Sequence, residues 1–143
     1  MKRIMGLDVG EKTIGIAITD PLHIMAQPVT TIRRTSLEKD FACIAEMIKE
    51  YDIGEIVVGL PLNMDGSSGE KVKVVLFFKD KLAAAVPVPI ITWDERLSTV
   101  AMQKTLIDAD VSRKKRRQVI DKLAAVFILQ GYMDFKKTGR KNG

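Results

Sequence analysis

Four carboxylates stand where an acid is either costly or open to a ligand. Asp8 follows the apolar run Ile4-Met5-Gly6-Leu7, Asp94 and Glu95 follow Ile90-Ile91-Thr92-Trp93, and Asp121 borders Leu123, Ala124 and Ala125. An ionised carboxylate at the end of a buried run is unfavourable unless it is paired or bound to a metal. The sequence has one His and one Cys, which excludes Cys-rich zinc sites and ligation by two histidines of one chain. Oxygen ligands without imidazole or thiolate suit Mg²⁺ or Mn²⁺. A pair of such ions activates a water and stabilises the leaving oxygen of a phosphodiester. Each acid also has an ordinary explanation. Asp8 can accept N–H bonds from the turn at Val9–Lys12, Asp94 can pair with Arg96, and Asp121 has Arg117 one turn before it. By spacing alone Asp94 and Glu95 are nearly equal candidates. His23, in a loop after Pro21, reads as a surface residue.

The charge is distributed to match that division of labour. The chain has 143 residues and a formal net charge of +5. Residues 113–143 hold ten Lys/Arg and two acids, a net of +8, which leaves the first 112 residues at −3. An acidic body with a basic flank suggests a polyanionic partner, nucleic acid before others.

The elements that must position these residues follow from periodicity. Residues 3–9 and 13–19 are β-rich runs joined by a tight turn and predict an antiparallel hairpin. A third extended run covers about 27–33. Phe41, Ile44, Ala45, Ile48 and Tyr51 then recur at helical spacing, with Thr35 and Glu38 as a capping box and Gly54 as the stop. A short buried strand at 55–59 leads into the loop 60–69, and a helix over 70–85 presents Val72, Val75, Leu76, Lys79 and Leu82. Strand 90–93 runs into Asp94, and Ser98 caps a third helix to about Ile107. A final helix over 114–135 carries Val119, Leu123, Val126, Phe127, Gln130 and Met133 in its stripe.

The order β-β-β-α-β-α-β-α-α implies an α/β fold with a five-stranded mixed sheet and helices on both faces. With 46% hydrophobic residues, the expectation is one domain over 1–136, followed by a flexible basic tail over 137–143. The chain has no apolar run long enough to span a bilayer and no room for a signal peptide before its first strand, so a soluble cytoplasmic protein is expected. Ligands of such sheets bind outside the carboxyl ends of the parallel strands, where Asp8, Gly59-Leu60-Pro61 and Asp94-Glu95 fall. The loop 60–69 lacks the Lys-Ser/Thr ending of a nucleotide-binding P-loop, although the helix start after it suits a phosphate.

Taken together, Gly6-Leu7-Asp8-Val9-Gly10, Lys12 to Ala17, Val58 to Gly66, Asp94 to Thr99 and Asp121 to Ala125, with Ile128-Leu129-Gln130, resemble one bacterial family across nearly the whole chain. It is the Holliday-junction-resolvase-like family of pre-16S rRNA nucleases. The resemblance implies a ribonuclease H-like fold and a metal-dependent nuclease with Asp8, Glu95 and Asp121 as catalytic and metal-binding acids. It also implies precursor rRNA in a ribosomal particle as partner, maturation of the 5′ end of 16S rRNA, and a monomer or weak homodimer. Nucleic-acid contacts are expected from Lys12, Asn63, Ser67, Arg96, Arg113, Lys114, Lys115, Arg116 and Arg117. One departure from related true resolvases is visible: their second acid ends the fourth strand, where this chain has Gly59-Leu60-Pro61. Three rivals stand beside this reading: a branched-DNA resolvase, a non-catalytic RNA- or ribosome-binding module, and an actin-like ATPase. The Asp8-Val9-Gly10 hairpin resembles the phosphate loop of the last, but that fold needs two such domains.

Overall fold

A computed structural model describes residues 2–63, 65–97 and 107–142, and within them the side chains of all but 117–122 and 138–142. Five strands form one sheet: β1 (Arg3–Val9), β2 (Thr13–Thr19), β3 (Ala26–Arg33), β4 (Ile53–Leu60) and β5 (Ile90–Asp94). Among the described residues three long helices accompany them: α1 (Leu37–Glu50), α2 (Glu70–Ala85) and α3 (Arg113–Asn142). The spatial order is β3-β2-β1-β4-β5. The first three strands form the expected antiparallel meander, and β4 and β5 add in parallel to β1. The predicted third helix, 98–107, lies almost wholly outside the described residues.

Alternation along the strands sorts the two faces. Met5, Leu7, Val9, Ile14, Ile16, Ile18, Ile56 and Val58 pack against α1 and α2 in the larger core. The other face is built from Ile4, Ala17 and Val57 and receives Ala125, Ile128, Leu129 and Tyr132 of α3. At Gly6 the helix backbone comes close to the strand: a Cβ there would stand 2.8 Å from Leu129 Cβ and 3.0 Å from the Ala125 carbonyl oxygen. Glycine is therefore what lets α3 lie directly on β1.

Several local expectations are corrected. Ser36, not Thr35, caps α1, its Oγ accepting from Lys39 N at 3.2 Å. Thr35 N instead donates to the buried Asp40 at 3.2 Å. The left-handed residue after α1 is Asp52 (φ 54), while Gly54 belongs to β4, where its missing side chain admits Lys2. On α2 the buried face is Val72, Val75, Phe78 and Leu82. Phe78 replaces the expected Leu76 and Lys79 because its ring meets Phe41 of α1 edge-on, with centroids 5.2 Å apart. On α3 the described buried positions are Ala125, Ile128, Leu129, Tyr132 and Met133; of the expected stripe Met133 is among them and Val126 packs partly buried beside them, whereas Leu123, Phe127 and Gln130 are only half-buried. Leu123 leaves helical geometry (φ −113, ψ 17) and kinks the helix, so one period cannot be carried across it.

Candidate active site

The carboxyl ends of β1, β4 and β5 open into a cavity of about 570 Å³. Asp8 and Glu95 line it together with Gly10, Glu11 and Lys12 of the β1–β2 turn, Gly59 near the end of β4 and Pro61 after it, and Glu70, Lys71 and Val74 of α2. Asp8 pairs with Gly15 across the hairpin, and because it alternates with Leu7 and Val9 it belongs to the face that α3 covers. A Cβ on Gly15 would meet Asp8 Cβ at 3.6 Å and Ala125 Cβ at 3.7 Å, so the base of the site is a tight junction of hairpin, acid and helix.

Glu95 follows the last residue of β5 and turns back over β4. A Cβ on Gly59 would lie 2.8 Å from Glu95 Oε1 and collide with Ile128 Cδ1. The glycine at the end of the fourth strand thus makes room for an acid delivered from the fifth. Glu95 is pushed up to about 7, first by its burial, then by the charge and hydrogen bond of Asp8 and the charge of Asp94, with Lys71 opposing. The two carboxyl groups are in hydrogen-bond contact. Asp94 is committed elsewhere: Arg96 donates Nε to Oδ1 at 3.0 Å and Nη2 to Oδ2 at 2.7 Å. That hydrogen-bonded guanidinium holds Asp94 below the usual carboxylate range. The geometry therefore separates the two neighbours that spacing left equal, bringing Glu95 and not Asp94 to Asp8.

The remaining expected residues fall around this cavity or apart from it. Asp121 lies on α3 one turn before Ala125; its side chain is outside the described residues. Lys12 is exposed on the cavity rim. Asn63 and Ser67 close a loop, with Asn63 Nδ2 donating to Ser67 Oγ at 3.0 Å and Ser67 N to Asp65 at 2.9 Å. Arg96 Nη1 reaches the Asn63 carbonyl at 3.4 Å, joining that loop to the end of β5. Arg113, Lys114 and Lys115 are exposed on the first turn of α3, and Arg116 is half-buried with Nη1 donating to the Val111 carbonyl at 2.7 Å. The side chain of Arg117 is outside the described residues. His23 Nε2 is tied to the Lys2 carbonyl oxygen at 2.6 Å. Sequence reasoning missed Lys71, whose only signal was its place on the first turn of α2 after the β4 loop. It also missed the reason for Gly59, which depends on strand order.

A mixed five-stranded sheet in this order, with acids converging at the carboxyl ends of its parallel strands, is the architecture of a ribonuclease H-like protein. The solved RuvC of T. thermophilus in complex with a Holliday junction substrate shares the fold, at a TM-score of 0.62 over 97% of each chain and 12% identity. A second T. thermophilus RuvC structure gives 0.59 over 96% of each chain. A family model described as "RuvX: Holliday junction resolvase" matches residues 2–135. This chain belongs to that RuvX family. It is 56% identical over 132 residues to a "Putative pre-16S rRNA nuclease" of Desulforamulus reducens, covering 92% of this chain and 96% of that one. A relative of the same name from Thermoanaerobacter pseudethanolicus is 56% identical over 136 residues, with 94% and 98% covered.

Proposed function

We propose that this chain is a nuclease that hydrolyses phosphodiester bonds of precursor 16S ribosomal RNA, with Asp8, Glu95 and Asp121 as its acids and Mg²⁺ or Mn²⁺ as its cofactor. The observation that carries the reading is the meeting of Asp8 and Glu95 in a cavity at the ends of parallel strands. The name shared by the full-length relatives supports the substrate.

The residues fit a divalent cation. Two carboxyl groups this close repel each other when both ionise, and Asp8 and Glu95 would supply oxygen ligands to a hard divalent cation, whose charge would offset that repulsion. Among the described residues no three acidic, His or Cys side chains form a metal cluster; Asp121 is the third ligand of this reading. When bound, such an ion polarises water and the departing oxygen. The rest of the chemistry belongs to the chain. Lys12 and Lys71 draw a backbone phosphate into the cavity, and Gly59 lets Glu95 reach it. The α2 wall, with Val74 and Val75, shields one side from water.

Arg113, Lys114 and Lys115 begin α3 with no acid in its first turn. Cations at a helix N-terminus oppose its dipole by about 0.3–1 kcal/mol each, and an RNA backbone relieves that cost. Incubation of the purified protein with precursor 16S RNA and with four-way DNA junctions, with Mg²⁺ or Mn²⁺ and with EDTA, tests the proposal. RNA shortened at its 5′ side, and no product in EDTA, is expected. Intact RNA under all metal conditions overturns the proposal, whether the junction is cut or not.

A further inference from the structure

Arg34 stands outside the Asp8–Glu95 cavity, just after β3, yet it grips the turn that forms the cavity's rim. Its backbone N–H donates to the Lys12 carbonyl at 2.8 Å. Its Nη1 donates to the Gly10 carbonyl at 2.8 Å. On the other side its Nε lies 3.8 Å from Asp40 Oδ2, and its guanidinium lies over the Phe78 ring, 5.2 Å from the centroid. Asp40 is 2% exposed. One of its oxygens accepts from Thr35 N, while Oδ2 is buried with no hydrogen-bond donor and has the Arg34 charge opposite it.

Stability alone gives little reason for such a pair, because apolar residues of similar volume often replace buried ion pairs without loss. What the pair produces is a fixed turn. Gly10 is two residues beyond Asp8, Glu11 and Lys12 line the cavity, and the turn's own closure is the bond from Gly10 N to the Thr13 carbonyl at 2.8 Å. A planar guanidinium can present Nη1 to Gly10 and Nε to Asp40 while its charge stands over the Phe78 ring; a lysine ammonium reaches one acceptor.

We propose that Arg34, anchored by Asp40 and Phe78, is a positioning residue of the cleavage site: it fixes the Gly10–Lys12 turn so that Lys12 meets substrate phosphate beside Asp8. The inference rests on the nuclease reading. Its test compares Arg34→Ala, Arg34→Lys and Asp40→Asn with wild type. Each is measured where circular dichroism shows it fully folded, for kcat and KM on precursor RNA and for amide exchange at Gly10 and its neighbours. Arg34→Ala is expected to lower kcat about 10- to 100-fold, the loss typical of a small misplacement near reacting groups, and to speed exchange at Gly10. Arg34→Lys should recover part of kcat, and Asp40→Asn should shift both readouts in the same direction as Arg34→Ala. A merely structural role changes the melting temperature but leaves kcat of the folded fraction intact. Unchanged kcat in the folded Arg34→Ala protein, or unchanged exchange at Gly10, overturns the proposal. If Arg34→Ala does not fold, the other two variants decide on the same readouts. Failure of wild type to cleave RNA would instead refute the nuclease reading, leaving the exchange measurement to decide whether Arg34 holds the turn.

Discussion

The carboxylate of Glu95 occupies the space that a side chain on Gly59 would fill, with Oε1 2.8 Å from the position of that missing Cβ. An acid from the fifth strand thereby stands at the end of the fourth. Gly59→Ala is expected to push Glu95 aside. The atoms met are Glu95 Cγ and Oε1 and the tip of Ile128, all parts of flexible side chains, so the fold survives. RNA cleavage should fall at least about tenfold, in line with the cost of small displacements at a reacting centre, while a thermal melt shows only a small loss. Full activity in a folded Gly59→Ala protein would contradict this use of the glycine.

Asp8→Asn and Asp121→Asn should each abolish cleavage without unfolding the chain. A loss of at least about 100-fold is expected, since even outer partners of a metal site cost about 10–100-fold when removed. RNA affinity, measured in EDTA by fluorescence anisotropy, should stay near that of wild type. Asp94→Asn is the contrasting variant: its partner is Arg96, so it should loosen the loop at Asn63 and retain most of the activity.

The titration of Glu95 has a definite sign. Its carboxyl is pushed up to about 7 in the folded chain, against an ordinary value of 4.5. The folded state therefore binds the proton more tightly than the unfolded state, and stability declines as pH rises between those values. In EDTA, Glu95→Gln should be more stable than wild type at pH ~8 by on the order of 2–3 kcal/mol. The difference should shrink as pH falls and level off near pH ~3.5, below the ordinary value, where both states hold the proton. Urea melts at the two pH values measure it; a constant difference would refute the burial of a charged Glu95 as its cause.

Much of the architecture was legible in periodicity. The meander, α1, β4, α2 and β5 all lie where alternation or helical spacing put them, because the helices bury one face each and the strands sort their residues between the two cores on either side of the sheet. What was not legible depended on contacts distant in the chain. Phe78 displaces Leu76 because Phe41 stands opposite, and the stripe of α3 shifts because Leu123 breaks its period. The acids were visible as costly carboxylates at strand ends. The choice between Asp94 and Glu95 was not, since it turns on Arg96 taking one and Gly59 admitting the other. Lys71 is marked only by its place after the β4 loop, and the hold of Arg34 on Gly10 has no local signature at all.

Gly6→Ala tests the contact between α3 and the sheet. Unlike Gly59, Gly6 faces the Ala125 carbonyl oxygen at 3.0 Å and Leu129 Cβ at 2.8 Å, which cannot move without the helix. Overpacking of this kind costs about 1–3 kcal/mol, seen as a lower denaturation midpoint. Cleavage should fall as well, because α3 carries Asp121.

RNA binding should weaken steeply with salt. Each phosphate neutralised on a single strand contributes about −0.7 to the slope of log affinity against log salt. Replacing both Lys114 and Lys115 with Ala should make that slope shallower by about 1.4 if each meets one phosphate. An unchanged slope would remove the start of α3 from the interface.

Every buried α3 side chain that the structure describes lies after Leu123, from Ala125 to Met133, while the run of bases lies before it. The kink therefore separates a stretch seated on the sheet from an opening turn whose Arg113, Lys114 and Lys115 face solvent. Arg113, Lys114 and Lys115 touch no part of the core, so this opening turn is free to diverge faster than the stretch from Ala125 to Met133 that the sheet holds in place.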